Sequence, residues 1–134
     1  MATHIHKIRV YYEDTDAGGI VYYANYLKFL ERARTEWLRS FAIEQQSLLE
    51  QSIGFVVKRV EMDNLAAAKF DDMLHVYSEL IELKRASMTF KQTIKNANQI
   101  TLVNAQIRVA CVDLARMKPI AIPKFILGEI SGVI

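Results

Sequence analysis

The run Tyr11-Tyr12-Glu13-Asp14-Thr15-Asp16-Ala17-Gly18-Gly19-Ile20-Val21-Tyr22-Tyr23 carries the side chains best suited to chemistry. Glu13, Asp14 and Asp16 place three carboxylates within four residues, and Gly18-Gly19 follow at once. A carboxylate with an ordinary pKa of ~3.9 is ionised at neutral pH, ready to attack a carbonyl or take a proton from water. Glycines let backbone approach a ligand closely, and they equally make a tight turn with positive φ. A helix opening just beyond them offers unpaired N–H groups and the positive end of its dipole. The combination suits an anionic or carbonyl-bearing ligand. Two other readings stand beside it: acids capping the helix, or acids around a divalent cation, although no histidine follows at ligand spacing.

These residues need elements to hold them. Ile8, Val10 and Tyr12 alternate with Lys7, Arg9 and Tyr11, which predicts a strand with one buried face and turns Tyr12 toward the core. From Asn25, a fitting N-cap, the period becomes helical. Tyr26, Phe29, Leu30, Ala33, Trp37, Leu38 and Phe41 form an apolar stripe, with Lys28, Glu31, Arg32, Thr35 and Arg39 away from it. Glu31/Arg34 and Arg32/Glu36 have the spacing of ion pairs on a solvated helix face. A short helix near Glu44–Gln51 and then Gly54 precede four stretches of period two. These are Phe55–Asn64, Leu74–Lys84 with an irregular alternation, a run marked by Met88, Phe90, Gln92 and Ile94, and one marked by Val103, Ala105, Ile107, Val109 and Cys111. Asn96-Ala97-Asn98-Gln99 is hairpin chemistry, and the segments are too close for parallel crossovers, so the sheet is mainly antiparallel. The order is α+β, and a five-stranded sheet curled around the long central helix would bury its stripe.

Composition limits the alternatives. Residues 1–134 make one domain, with 51% hydrophobic and 24% charged side chains, as in a packed globule. Seventeen basic against fifteen acidic residues, dispersed without a run, argue against nucleic acid, though a few cations could hold one phosphorylated ligand. Cys111 is the only cysteine, which excludes an intramolecular disulfide, and its apolar alternation places it in the core. The opening Met1–Lys7 lacks the order of a signal peptide, and no apolar run approaches the ~20 residues that span a bilayer. The expected location is the cytoplasm.

The element order resembles the hotdog fold. Tyr12-Glu13-Asp14-Thr15-Asp16-Ala17-Gly18-Gly19-Ile20-Val21-Tyr22, with Asn25-Tyr26 and Phe29-Leu30-Glu31-Arg32-Ala33-Arg34, resembles the 4-hydroxybenzoyl-CoA thioesterase family and, within it, the YbgC-like branch. Phe55-Val56-Val57, Ala67-Ala68 with Asp71-Asp72, Val109-Ala110-Cys111-Val112-Asp113 and Met117-Lys118-Pro119 extend the resemblance along nearly the whole chain. It implies hydrolysis of acyl-CoA thioesters without metal or other cofactor.

The family's catalytic carboxylate falls on Asp16, as nucleophile or general base, with Glu13 and Asp14 weaker candidates. Backbone N–H groups of Val21, Tyr22 and Tyr23 would stabilise the charge that develops on the carbonyl oxygen. Tyr23 stands where the YbgC branch usually has histidine and the hydroxybenzoyl branch tyrosine. The resemblance therefore carries over for its amide, while its phenol cannot act as a neutral-pH base. Tyr12 either orients the carboxylate or water, or packs in the core. Gly18 and Gly19 would admit the acyl or pantetheine arm. Lys84, Arg85, Arg116 and Lys118 lie where the family holds CoA phosphates, against the alternative of solvated surface charge. His75 and Trp37 read as structural.

A homodimer is the minimum that the resemblance implies, with a homotetramer expected and acyl-carrier protein a further partner. The apolar tail Ile130–Ile134 reads as a subunit contact or a fraying end. Tyrosines 12, 22, 23 and 26 would narrow the pocket toward short or aromatic acyl groups. The rival reading is a protein that binds acyl-CoA or acyl-carrier protein without hydrolysis, and a hydratase is more distant.

Overall fold

The computed structural model describes residues 3–133; Met1, Ala2 and Ile134, the ends of the leader and tail segments considered above, lie outside the described residues. Period-two segments become β1 (His4–Arg9), β2 (Ile53–Asn64), β3 (Met73–Leu83), β4 (Ser87–Lys95) and β5 (Thr101–Asp113). They form one sheet, every neighbour antiparallel, in the order β1-β3-β4-β5-β2. Leu74, Val76, Ser78 and Leu80 of β3, and Val103, Ala105, Ile107, Val109 and Cys111 of β5, are buried. The irregular alternation of the third strand has a physical origin: its register with β4 shifts between Leu80 and Glu82, and β2 shifts similarly between Val57 and Arg59. Such shifts bend strands and help the sheet to curl. A two-residue β6 (Lys118–Pro119), which sequence periodicity could not signal, pairs antiparallel with the end of β5 and makes the sheet six-stranded rather than five-stranded.

The helices are α1 (Tyr26–Arg39), α2 (Gln45–Glu50) and α3 (Lys124–Ile130). α1 lays Tyr26, Phe29, Leu30, Ala33, Trp37 and Leu38 against the sheet. Trp37 meets Phe90 edge-on at 5.0 Å and Phe41 at 4.8 Å. Full burial of each large apolar side chain is worth ~1.5–3 kcal/mol of transfer free energy, so this stripe holds the helix in the curl. The architecture is the hotdog arrangement: a central helix wrapped by an antiparallel sheet. Cys111 is buried, and burial pushes its thiol pKa up.

Four expectations need correction. Tyr12 does not face the core. The ladder stops at Arg9, the chain turns through a 3-10 helix at Tyr12–Asp14, and Tyr12 is 80% exposed. Asn25 occupies the cap position of α1, but its side chain caps nothing there and instead donates to Asp14 O at 2.9 Å. Arg34 is no surface partner of Glu31; it is buried, and its Nη1 donates to Gln92 Oε1 at 3.0 Å. Glu36 pairs with Arg39 rather than with Arg32. Of the apolar tail, Ile130 ends α3 buried in the core and Val133 packs against that core. Among the described residues, no helix is long and apolar enough to cross a membrane.

Candidate active site

Asp14 organises the loop that the sequence singled out. It is buried, its Oδ2 accepts the Tyr11 N–H at 2.8 Å, and its carbonyl accepts the Tyr22 N–H at 3.0 Å and the Asn25 side-chain N–H. Asp14 thus ties the strand exit, through its carboxylate, to the helix entry, through its main-chain carbonyl. Glu13 points outward.

Asp16 heads a short hairpin. Its N–H donates to Ile20 O at 2.9 Å, its carbonyl accepts the Gly19 N–H at 3.0 Å, and Thr15 bridges Val21. The Asp16 side chain is exposed, and Oδ1 accepts the Gly18 N–H at 2.8 Å. The two glycines do different work. Gly19 has φ +77°, a backbone state that costs any other residue, whereas a Cβ there would meet nothing within 4 Å. At Gly18 a Cβ would lie 3.3 Å from Asp16 Oδ1, so glycine is what lets the carboxylate fold back onto the loop amide.

A second segment, running from Leu65 to Asp72, backs the hairpin. Ala68 O accepts the Val21 N–H at 2.9 Å, Gly19 O accepts the Phe70 N–H at 3.3 Å, and Ile20 bridges Lys69. Ala68 is fully buried, and its N–H donates to the Tyr26 hydroxyl at 3.0 Å. Burial raises the Tyr26 pKa, which keeps the phenol protonated. Asp71 adopts φ +74° and its carbonyl accepts Arg9 Nη1 at 2.7 Å, while Asp72 Oδ2 accepts the Lys69 N–H at 2.9 Å. The motif Ala67-Ala68…Asp71-Asp72 therefore fixes the floor of the site, a role that its sequence alone did not suggest. Tyr12 stacks edge-on with Phe70 at 5.9 Å, Tyr22 and Tyr23 lie 5.2 Å apart, and all four rings are at least half exposed or nearly so.

Three amides were expected to face a carbonyl, and the geometry divides them. Those of Val21 and Tyr22 already donate within the chain, to Ala68 O and Asp14 O. Tyr23 and Ala24 open a 3-10 turn (Tyr23–Asn25) that runs into α1, so their N–H groups precede the first intrahelical bonds. Among the described residues, neither has an acceptor.

The four expected phosphate-binding cations are not beside Asp16. Lys84 and Arg85 form the β3–β4 turn, which touches the segment after β5 through Ile122 N–H to Arg85 O and Cys111 N–H to Ala86 O. Arg116 and Lys118 lie at that same end, Arg116 Nε 4.0 Å from Asp113 Oδ2 and Lys118 opposite Asp113 in the β5–β6 register. The acid loop leaves β1 beside Met73, where β3 begins. Along β3 the two ends are separated by roughly 30 Å, at about 3.3 Å per residue.

Comparison with known proteins agrees with this architecture. The family model of the thioesterase-like superfamily matches residues 10–130. The chain is 54% identical over 118 residues to the acyl-CoA thioesterase YbgC of Haemophilus influenzae, covering 87% of this chain and 86% of that protein. It is 47% identical over 122 residues to the acyl-CoA thioester hydrolase YbgC of Escherichia coli O6:H1, covering 91% of each. Among solved structures, a protein of Aquifex aeolicus superposes with a TM-score of 0.88 at 28% identity, covering 94% of this chain and 98% of that one. With the family model matched over most of its length and relatives this similar, the chain belongs to the thioesterase-like superfamily.

Proposed function

We propose that this protein is an acyl-CoA thioesterase that hydrolyses short-chain or aromatic acyl-CoAs, with Asp16 as the attacking or water-activating carboxylate. The observation that carries the reading is the exposed Asp16 side chain, held by the Gly18 N–H one short hairpin before the open Tyr23 amide. The YbgC relatives, named as acyl-CoA thioesterase and acyl-CoA thioester hydrolase, support the class of reaction. The aromatic side chains at 12, 22, 23 and 70 support a planar or short acyl group.

In the reaction, the thioester carbonyl oxygen accepts the Tyr23 N–H as negative charge develops on it, an interaction worth ~3 kcal/mol in known oxyanion sites. As nucleophile, Asp16 forms a mixed anhydride and expels the CoA thiolate, which takes a proton from solvent; water then opens the anhydride. As general base, Asp16 takes a proton from water while the oxygen adds to the carbonyl, and the proton passes to the departing sulfur. Both routes yield a carboxylic acid and a free thiol. Val21 and Tyr22 shape the backbone around the carbonyl, Gly18 and Gly19 leave room for the acyl or pantetheine arm, and Tyr12 borders the opening.

The assembly belongs to the same proposal. β2 is a sheet edge exposing Val56, Val57 and Val60, a surface suited to a second copy, so a homodimer, or a tetramer built from it, is the working form in the cytoplasm. Lys84, Arg85, Arg116 and Lys118 then serve the CoA phosphates of a neighbouring subunit's site. The same surface could receive an acyl-carrier protein. The test is thiol release from short, long and aromatic acyl-CoAs beside Asp16→Asn. Turnover should fall roughly 10²- to 10⁴-fold, the range for losing a positioned acid–base group, while CoA binding persists. Bound acyl-CoA without thiol release by the unaltered protein would overturn the enzyme reading in favour of a binding protein, a role to which tyrosine rather than histidine at position 23 lends some support.

A further inference from the structure

Arg34 is 8% exposed, although it sits on the helix that the sheet wraps. Its Nη1 donates to Gln92 Oε1 at 3.0 Å, and Gln92 is itself fully buried, giving its Nε2 hydrogens to Leu30 O at 3.0 Å and Ser78 Oγ at 2.9 Å. This network fixes one edge of the guanidinium. Among the described residues, no carboxylate pairs with Arg34, and no acceptor other than Gln92 meets it. A guanidinium carries five donors in a planar fork, and Arg34 lines a cavity of about 90 Å³ between α1 and strands β2, β4 and β5. Leu38, Phe55, Val57, Met88, Phe90 and Val109 supply apolar wall. Glu31 stands exposed at the rim, with no bond to the guanidinium.

A buried, prepositioned guanidinium with donors to spare in a partly open, largely apolar cavity is complementary to a carboxylate on a short hydrocarbon. The planar fork takes two carboxylate oxygens, and the wall takes methylenes. We infer that this cavity binds a small aliphatic carboxylate through Arg34. Burial lowers the Arg34 pKa to about 10, opposed in part by Glu31, so the group remains charged at neutral pH. The carboxylate is either a free short-chain acid or the far end of a dicarboxylic acyl group. Only the second source depends on the thioesterase reading.

Titration of arginine-labelled full-length protein with propanoate, followed through the side-chain Nε–H resonance of Arg34, tests the site without any turnover. A saturable shift is expected with propanoate and none with propanamide, which matches its shape but not its charge. Val109→Leu, which lies on the inner strand β5 away from the edge and outside the Arg34 network, fills part of the cavity and should weaken the shift at least several-fold. Equal shifts with the amide, no saturation, or a shift unchanged in Val109→Leu would each overturn the site. A resonance that instead moves on dilution alone would overturn it in favour of a second copy packed on the guanidinium. Once binding is established, glutaryl-CoA against butyryl-CoA identifies the source. A several-fold preference for glutaryl-CoA in the unaltered protein, reduced in Val109→Leu, marks the acyl tail; equal rates with both, alongside propanoate binding, mark a free acid.

Discussion

Asp16 and the Tyr23 amide are tied to the backbone around them, so single substitutions can separate position from identity. Tyr22 is extended, with φ −62° and ψ 123°, the conformation that a following proline requires, and Tyr23 is the first residue of a helical turn, where proline is accepted. Tyr23→Pro should therefore remove one N–H while leaving the fold intact. Its expected effect is a loss of roughly 10²–10³ in kcat, the size seen when one oxyanion donor is deleted, whereas Tyr23→Phe should stay within a few-fold. Equal kinetics for the two variants would show that the amide is not the donor. The glycine pair makes a second separation. Gly18→Ala sets a methyl group 3.3 Å from Asp16 Oδ1 and should lower kcat several-fold with little change in melting temperature, since misplacing a reacting group is costly even where stability is not. Gly19→Ala meets no atom but must hold φ +77°, so it should lower stability by about 1 kcal/mol through strain alone. Melting curves beside kcat distinguish the two.

At the scale of elements, α1 is fastened to the sheet by more than its apolar stripe. Gln92 on β4 joins Arg34, Leu30 O and Ser78 in one buried network. Gln92→Leu keeps the volume but strands a buried cation and a hydroxyl, so a cost of roughly 2–4 kcal/mol is expected, read as a lower denaturant midpoint with an unchanged slope. A cost below 1 kcal/mol would mean that water reaches Arg34 and makes good the loss. This network also shows what sequence could and could not convey. β3, β4 and β5 were legible because their side chains are buried largely in alternation, and even the break in β3 left a mark in that alternation. Arg34 was not, because its charge reads as surface, while its position three or four residues from Leu30, Trp37 and Leu38 places it at the edge of the buried face. Tyr12 misled for the converse reason: two alternating residues suggested a third, and the 3-10 turn that ends the alternation is nucleated by the Asp14 side chain on the Tyr11 N–H, a contact with no periodic signature. The acid loop stood out through its clustered acids and glycines. Its floor did not, since Ala68 and Asp71 act through backbone bonds that any residue type could have made.

For the whole molecule, the decisive fact is the separation of the two ends of β3. Asp16 belongs to the end where β3 begins, and Lys84, Arg85, Arg116 and Lys118 to the end where it finishes. A single copy cannot readily offer both to one CoA across roughly 30 Å of strand, at about 3.3 Å per residue. In a two-fold dimer, each contact is made twice, and an acid loop of one subunit can face the basic end of its neighbour. Mixing two inactive proteins tests this directly. Asp16→Asn lacks the carboxylate proposed to react, and a Lys84→Ala/Arg85→Ala double variant lacks two of the cations proposed to hold the phosphates. If cations serve the neighbouring subunit, a mixed dimer pairs the intact Asp16 of the double variant with the intact cations of the Asp16→Asn subunit, which restores one working site of two. Random exchange from an equal mixture makes half the dimers mixed, so activity should recover to about a quarter of the unaltered value at low acyl-CoA concentration. If the cations serve their own subunit, every site in the mixed dimer lacks one component and nothing is regained. Recovery that appears only after subunits are dissociated and reassociated would locate the site between two copies of this chain, and its absence after proven exchange would assign Lys84 and Arg85 to the site of their own subunit.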